Sequence, residues 1–217
     1  MATNAEFEQL LIDGTDLLER NQMDQAMSKA MEALSQRPGN PLAENLLGLA
    51  LFARRRFREA RDIFEGLVRR HPDIASLRVN AGLTALRTDG INRAKSHFER
   101  VIQMEADHRR ALAYLALLSF KGGDRVKTRA LLQRADLDEL ATRISQPLDD
   151  EATLWLALDI ESRADQLAVG RGSGPLPPRA HEGFAEINPL VPEESWDSRS
   201  SQERHEVRMT TKVPPSE

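Results

Sequence analysis

The sequence predicts an all-α protein built from consecutive antiparallel helix pairs. Alanine, leucine, arginine and glutamate, which are strong helix formers, dominate residues 5–168. Only 5% of the 217 residues are aromatic, and the β-branched residues are scattered along the chain. Similar residue types also return at an offset of about 34 residues, a length typical of one helix pair. These observations favour a helical repeat.

Several columns of matching residues carry this recurrence. Glycine and alanine leave room where two helices approach closely, so we expect Gly48 and Ala60 to admit a neighbouring backbone. Proline removes a hydrogen-bond donor and clashes with the preceding turn, so it is expected to end the second helix of a pair. The columns are Gly14, Gly48 and Gly82; Ala26, Ala60 and Ala94; Phe64 and Phe98; Met23, Phe57 and Ile91; and Pro38 and Pro72.

The columns resemble the tetratricopeptide repeat (TPR), whose spaced positions appear here as Leu47-Gly48, Ala60, Phe64, Leu67 and Pro72. The resemblance covers residues 7–136 in about four units. It implies a right-handed superhelical solenoid of antiparallel helix pairs, with the first helix of each unit on the concave side. The units begin near Phe7, Pro41, Ala75 and Arg109.

Three segments are predicted along the chain: a TPR array over residues 5–136, C-terminal capping helices over 137–168 and a disordered tail over 169–217. Asp149 or Asp150 is expected to start a capping helix that covers the apolar side of the last unit. Its apolar stripe consists of Leu156, Ile160, Ala164 and Leu167, with Trp155 expected in the core.

The predicted tail is rich in proline and has little apolar periodicity, which is typical of a disordered segment. Its sparse apolar residues leave two readings open: sequence without a partner, or a linear motif that folds onto a partner or into the protein's own groove. These residues are Phe184, Ile187, Leu190, Val191 and Trp196.

Patterns that carry catalysis or metal binding are missing from the sequence. It has no cysteine, its histidines lack metal-ligand spacing, and no phosphate-binding glycine loop or nucleophile elbow occurs. We therefore predict a protein that is not an enzyme and has no cofactor and no metal site. The beginning lacks the features of a signal peptide, and no apolar stretch reaches the roughly 20 residues of a membrane helix. This predicts a cytoplasmic protein without a membrane span.

The arginine cluster Arg54, Arg55, Arg56 and Arg58 raises an alternative, a basic patch that binds nucleic acid or an acidic protein. The net charge of −4 and the carboxylates that follow the cluster make nucleic acid the less favoured partner. A second alternative is a pilus or secretion assembly factor. It rests on the similarity of VNAGLTALR (79–87) and ATLWLAL (152–158) to TPR arrays of bacterial pilus-assembly lipoproteins.

The TPR resemblance implies a protein-interaction scaffold or adaptor that binds a peptide or helix of a partner protein in its concave groove. The partner's identity and the oligomeric state are left open. A further alternative is that this face packs internally or against the tail. The residues predicted to contact the partner are Asn45, Leu49, Phe52, Val79, Asn80, Leu83, Arg87, Arg110, Tyr114, Leu117 and Phe120.

Overall fold

The computed structural model describes residues 4–88 and 90–167, and the regular elements within these ranges are all α-helices. The predicted all-α class is confirmed. The predicted disordered tail (169–217) lies outside the described residues. The helices are α1 (Asn4–Glu19), α2 (Met23–Gln36), α3 (Pro41–Ala53), α4 (Phe57–Arg70), α5 (Ala75–Leu86), α6 (Ile91–Met104), α7 (Arg109–Lys121), α8 (Arg125–Arg134), α9 (Asp138–Ile144) and α10 (Asp150–Gln166).

Helices α1 to α8 form four consecutive pairs that stack into the predicted solenoid. Each of these helices packs against its neighbours in the chain, and α1 also contacts α3. The second helices α2 and α4 end at Gln36 and Arg70, just before Pro38 and Pro72, as proline's missing donor requires. We call the side of the stack formed by the first helices, α1, α3, α5 and α7, the inner face.

Two of the glycines make room for an aromatic ring. A Cβ added at Gly48 would lie 2.7 Å from Cζ of Phe64, and one added at Gly82 would lie 2.8 Å from Cζ of Phe98. Both phenyl rings are completely buried. The prediction that Gly48 admits a neighbouring backbone is therefore wrong in detail, because the neighbour is the ring of Phe64 in the paired helix.

The turns inside the first, second and fourth pairs share a backbone feature. Asn21, Arg55 and Gly123, which are spaced at multiples of about 34 residues, have φ angles of 59°, 60° and 81°. This left-handed conformation is unfavourable for a side chain as large as that of arginine. Because it recurs with the repeat, the geometry of the pair imposes it on whatever residue stands there.

The glycine–ring contact predicts opposite effects for two glycine-to-alanine changes in the same pair. Gly48→Ala should lower the free energy of unfolding by about 1–3 kcal/mol, because the completely buried ring of Phe64 would have to shift. Gly66→Ala should leave stability unchanged or raise it by up to about 1 kcal/mol, since alanine is the better helix former and the nearest atom to the new Cβ is 3.9 Å away. Urea unfolding of both variants measures this. Equal midpoints would contradict it.

Candidate functional site

The residues predicted to contact a partner lie on the inner face, and all of them except Arg87 are buried within the chain. The open apolar trough expected from the sequence is therefore absent at these positions. The alternative that this face packs internally describes them better. The buried members are Asn45, Leu49 and Phe52 on α3, Val79, Asn80 and Leu83 on α5, and Arg110, Tyr114, Leu117 and Phe120 on α7.

Helix α10 covers the part of this face that α7 forms. Every residue of α7 from Arg110 to Leu117 is buried, which requires neighbours on all sides of the helix. Helices α6 and α8 flank α7 in the stack, and α10 packs on it as well. The contact of α10 with α7 is more extensive than its contact with α9, the helix that precedes it. Helix α10 thus lies on α7 and does not simply extend the stack beyond α9.

An apolar stripe holds α10 in this position. Leu156, Ile160 and Ala164, one helical turn apart, are completely buried. Full burial of a leucine or isoleucine side chain stabilises a protein by about 1.5–3 kcal/mol. The sequence predicted this stripe. The prediction that Trp155 lies in the core is confirmed only in part. Its side chain is half-buried, and its Nε1 donates a hydrogen bond to Oε1 of Glu151 at 3.3 Å.

The C-terminal half of α10 adds polar contacts to the apolar ones. The hydroxyl of Tyr114 donates a hydrogen bond to the carboxylate of Asp165. Nη1 of Arg87, which follows α5, lies 3.5 Å from Oε1 of Glu161. The guanidinium of Arg110 lies 5.9 Å from the ring centroid of Tyr114. We call these five residues the polar cluster; it joins α5 and α7 to α10.

Burial shifts the pKa of two members of the polar cluster, Tyr114 and Asp165. It raises the pKa of the Tyr114 hydroxyl well above its ordinary value, and the negative charge of Asp165 acts in the same direction. The phenol therefore stays protonated and donates at neutral pH. Burial also raises the pKa of the Asp165 carboxyl, opposed by the hydrogen bond from Tyr114 and by the charge of Arg110. A buried arginine such as Arg110 (2% exposed) needs a nearby anion, and the carboxylate of Asp165 supplies that charge.

Repeat packing places Tyr114 where it can reach α10. Its ring stacks on that of Phe98, with centroids 5.2 Å apart and an interplanar angle of 8°. Phe98 in turn fills the space left by Gly82. A line of contacts thus runs from the interior of the third pair, through two aromatic rings, to the polar cluster.

Asn80, a predicted partner-binding residue, has an internal role. Its Nδ2 donates to Oδ1 of Asn45 at 3.2 Å, and both side chains are buried. Its carbonyl oxygen accepts from the hydroxyl of Thr84 at 2.6 Å. The amide pair links α3 to α5 and so joins the second unit to the third.

The arginine cluster of the second pair is partly neutralised. Nε of Arg54 lies 3.0 Å from Oδ1 of Asp24, and Arg56 makes two hydrogen bonds to Glu59, at 2.7 and 2.6 Å. A surface that binds nucleic acid electrostatically needs a sustained excess of positive charge. These pairings reduce that excess where the sequence showed it most strongly.

Among residues 4–88 and 90–167, no group of three or more histidine, cysteine, aspartate or glutamate side chains could hold a metal ion. Within the same ranges, the helices are too short or too polar to cross a bilayer.

Comparisons with known proteins agree with the repeat architecture. The family model for the tetratricopeptide repeat matches residues 17–83. MamA from Desulfovibrio magneticus RS-1 (residues 41 to the end) is 15% identical, with a TM-score of 0.56 over 63% of this chain and 77% of that one. A tetratricopeptide repeat protein from Parabacteroides merdae ATCC 43184 is 16% identical, with a TM-score of 0.56 over 97% of this chain and 81% of that one. No curated protein matches the sequence. At these identities, the likeness shows the fold.

The buried stripe of α10 predicts unequal effects for two neighbouring truncations. Ile160→Ala should destabilise the docked helix by about 2–4 kcal/mol, because it leaves a cavity at a completely buried position. Leu154→Ala should change stability by no more than about 0.5 kcal/mol, since Leu154 is 61% exposed. Hydrogen exchange of the α10 amides, measured by mass spectrometry, reports the docking directly. Similar exchange rates in the two variants would show that α10 is not held by this stripe.

Proposed function

We propose that this chain, whose residues 17–83 match the tetratricopeptide repeat, holds a segment of a partner protein on the inner face of its helix stack and catalyses no reaction. The fold itself is that of a protein-interaction scaffold. The observation that supports binding on the inner face is the docking of α10. This helix packs on α7 through a narrow apolar stripe, so the part of the inner face that α7 forms is complementary to an amphipathic helix.

The chemistry of the inner face favours a protein partner. It combines a majority of apolar side chains with a few polar ones, such as Arg87 and Tyr114, that fix orientation. Nucleic acid would require an extended basic surface, whereas Arg54 and Arg56 are paired and the net charge is −4. The polar cluster connects helices, and its groups are engaged with each other. This supports a binding role over a catalytic one.

Photo-crosslinking in the cells that express the protein tests this proposal. The photoreactive residue p-benzoylphenylalanine replaces Thr15 or Arg87 on the inner face. It also replaces a matched residue on a second helix, Ser28 for Thr15 and Arg100 for Arg87. Thr15 and Ser28 are well matched because each donates its hydroxyl to the carbonyl four residues earlier, at 2.9 and 3.0 Å.

We expect the inner-face positions to give a defined crosslinked protein and the matched positions to give none. The physical reason is that the first helices form the proposed binding surface, whereas Ser28 and Arg100 lie on the second helices α2 and α6. Crosslinks of equal yield at Ser28 and Arg100, or at these two positions alone, would place the partner on the outer helices and refute the proposal.

A further inference from the structure

We infer that α10 is a built-in competitor for the binding surface, and that the partner is an amphipathic helix of the same pattern which displaces it. The pattern has apolar residues at every fourth position, a small residue last, and a carboxylate directly after each of the last two apolar positions. In α10 these positions are Leu156, Ile160-Glu161 and Ala164-Asp165. This inference rests on the proposed function and adds the chemistry of the partner to it.

The charges of the inner face are complementary to the carboxylates of α10. On the inner face, Arg87 lies beside Glu161, and the buried Arg110 lies in the same cluster as Asp165. A helix that replaced α10 without carboxylates at these positions would deprive the buried Arg110 of the negative charge of Asp165, which is unfavourable. The two arginines therefore select acidic residues at one end of the incoming helix.

The spacing of the buried apolar residues shows which side of α10 contacts the surface. Leu156, Ile160 and Ala164 are completely buried, whereas Leu154 on the same helix is 61% exposed. The surface thus accepts one stripe of the helix and leaves the rest in contact with water. Ala164 stands one residue before Asp165, the carboxylate to which the Tyr114 hydroxyl donates. A small side chain at this point lets the helix approach closely enough for that hydrogen bond.

Helix α10 is connected to the stack by short elements only. A short segment, residues 145–149, joins α10 to α9, and α9 itself has only 7 residues. The glycine–ring contacts of Gly48 with Phe64 and of Gly82 with Phe98 lie within the pairs and do not include α10. Elements held by few buried side chains open at lower free energy than the interior. Helix α10 can therefore leave while the pairs stay folded.

Because α10 and a free helix would compete for the same surface, the effect of α10 on the affinity for the free helix can be predicted. A tethered helix acts at an effective concentration in the millimolar range, so it masks the surface from a free helix of equal intrinsic affinity. The apparent dissociation constant for a free helix is the intrinsic one divided by the fraction of molecules whose surface is open. Weakening α10 in the chain should therefore tighten the binding of a free helix.

The test uses the full chain and a fluorescein-labelled synthetic peptide of residues 149–167, followed by fluorescence anisotropy. In the chain, Glu161→Arg places a cation beside Arg87 and weakens the docking of α10. We expect this variant to bind the natural peptide at least about fivefold more tightly than the unmodified chain does. Circular dichroism checks that the helices are intact. The milder Glu161→Gln variant, which should act in the same direction, serves if Glu161→Arg does not fold.

A charge exchange separates specific docking from general stickiness. The chain with Arg87→Glu should prefer the peptide carrying Glu161→Arg, and the chain with Glu161→Arg should prefer the natural peptide. Each preference should be about threefold, which is the size expected for one half-exposed ion pair. Retained preference for the same peptide by both chains would overturn the inference.

Two further outcomes also overturn it. The first is that no chain variant binds the peptide. The second is a dimer, detected by light scattering, that the peptide converts to a monomer, since the helix on the inner face would then belong to a second copy. A failure here combined with inner-face crosslinks at Thr15 and Arg87 would leave the proposed function standing and remove only the competitor role of α10.

Discussion

The fit of a phenylalanine ring against a glycine in the paired helix is the contact on which the rest of the structure depends. A Cβ at Gly48 or Gly82 would lie within 3 Å of the ring of Phe64 or Phe98, so the spacing of the second and third pairs follows from the absence of one methyl group. The consequence reaches the surface. The ring of Phe98, seated over Gly82, carries the stacked ring of Tyr114, and the hydroxyl of Tyr114 meets α10.

The fold was predictable because its main constraint is periodic. Small residues, aromatic residues and prolines at one interval define helix pairs and their ends without knowledge of distant contacts. What the interval did not reveal was the identity of the neighbour at Gly48, because a backbone and a phenyl ring both require a small residue. The left-handed conformation of Arg55 was also missed, since its side chain gives none of the cues that glycine would give.

The candidate site was predicted less well, for a reason that lies in the geometry of repeats. Periodicity tells which side chains share a face, but a later helix of different period can cover that face. Helix α10 does so on α7, where every residue from Arg110 to Leu117 is buried. The sequence does contain one indication that this face is covered. The segment from Arg110 to Phe120 is apolar nearly throughout. A helix without a polar side is enclosed on all sides, and the stack alone could not have enclosed it.

A surface that recognises apolar helices carries a cost when no partner is present, because exposed apolar area promotes association with the wrong molecules. Covering it with α10 removes that cost and changes the energetics of binding. In the proposed displacement of α10, partner binding is an exchange of one buried stripe for another, so the apolar area buried would change little and the hydrophobic contribution would largely cancel. What remains to distinguish one helix from another is the match of its carboxylates to Arg87 and Arg110. Specificity would then depend on charge placement, whereas the apolar stripe would set only the general class of partner.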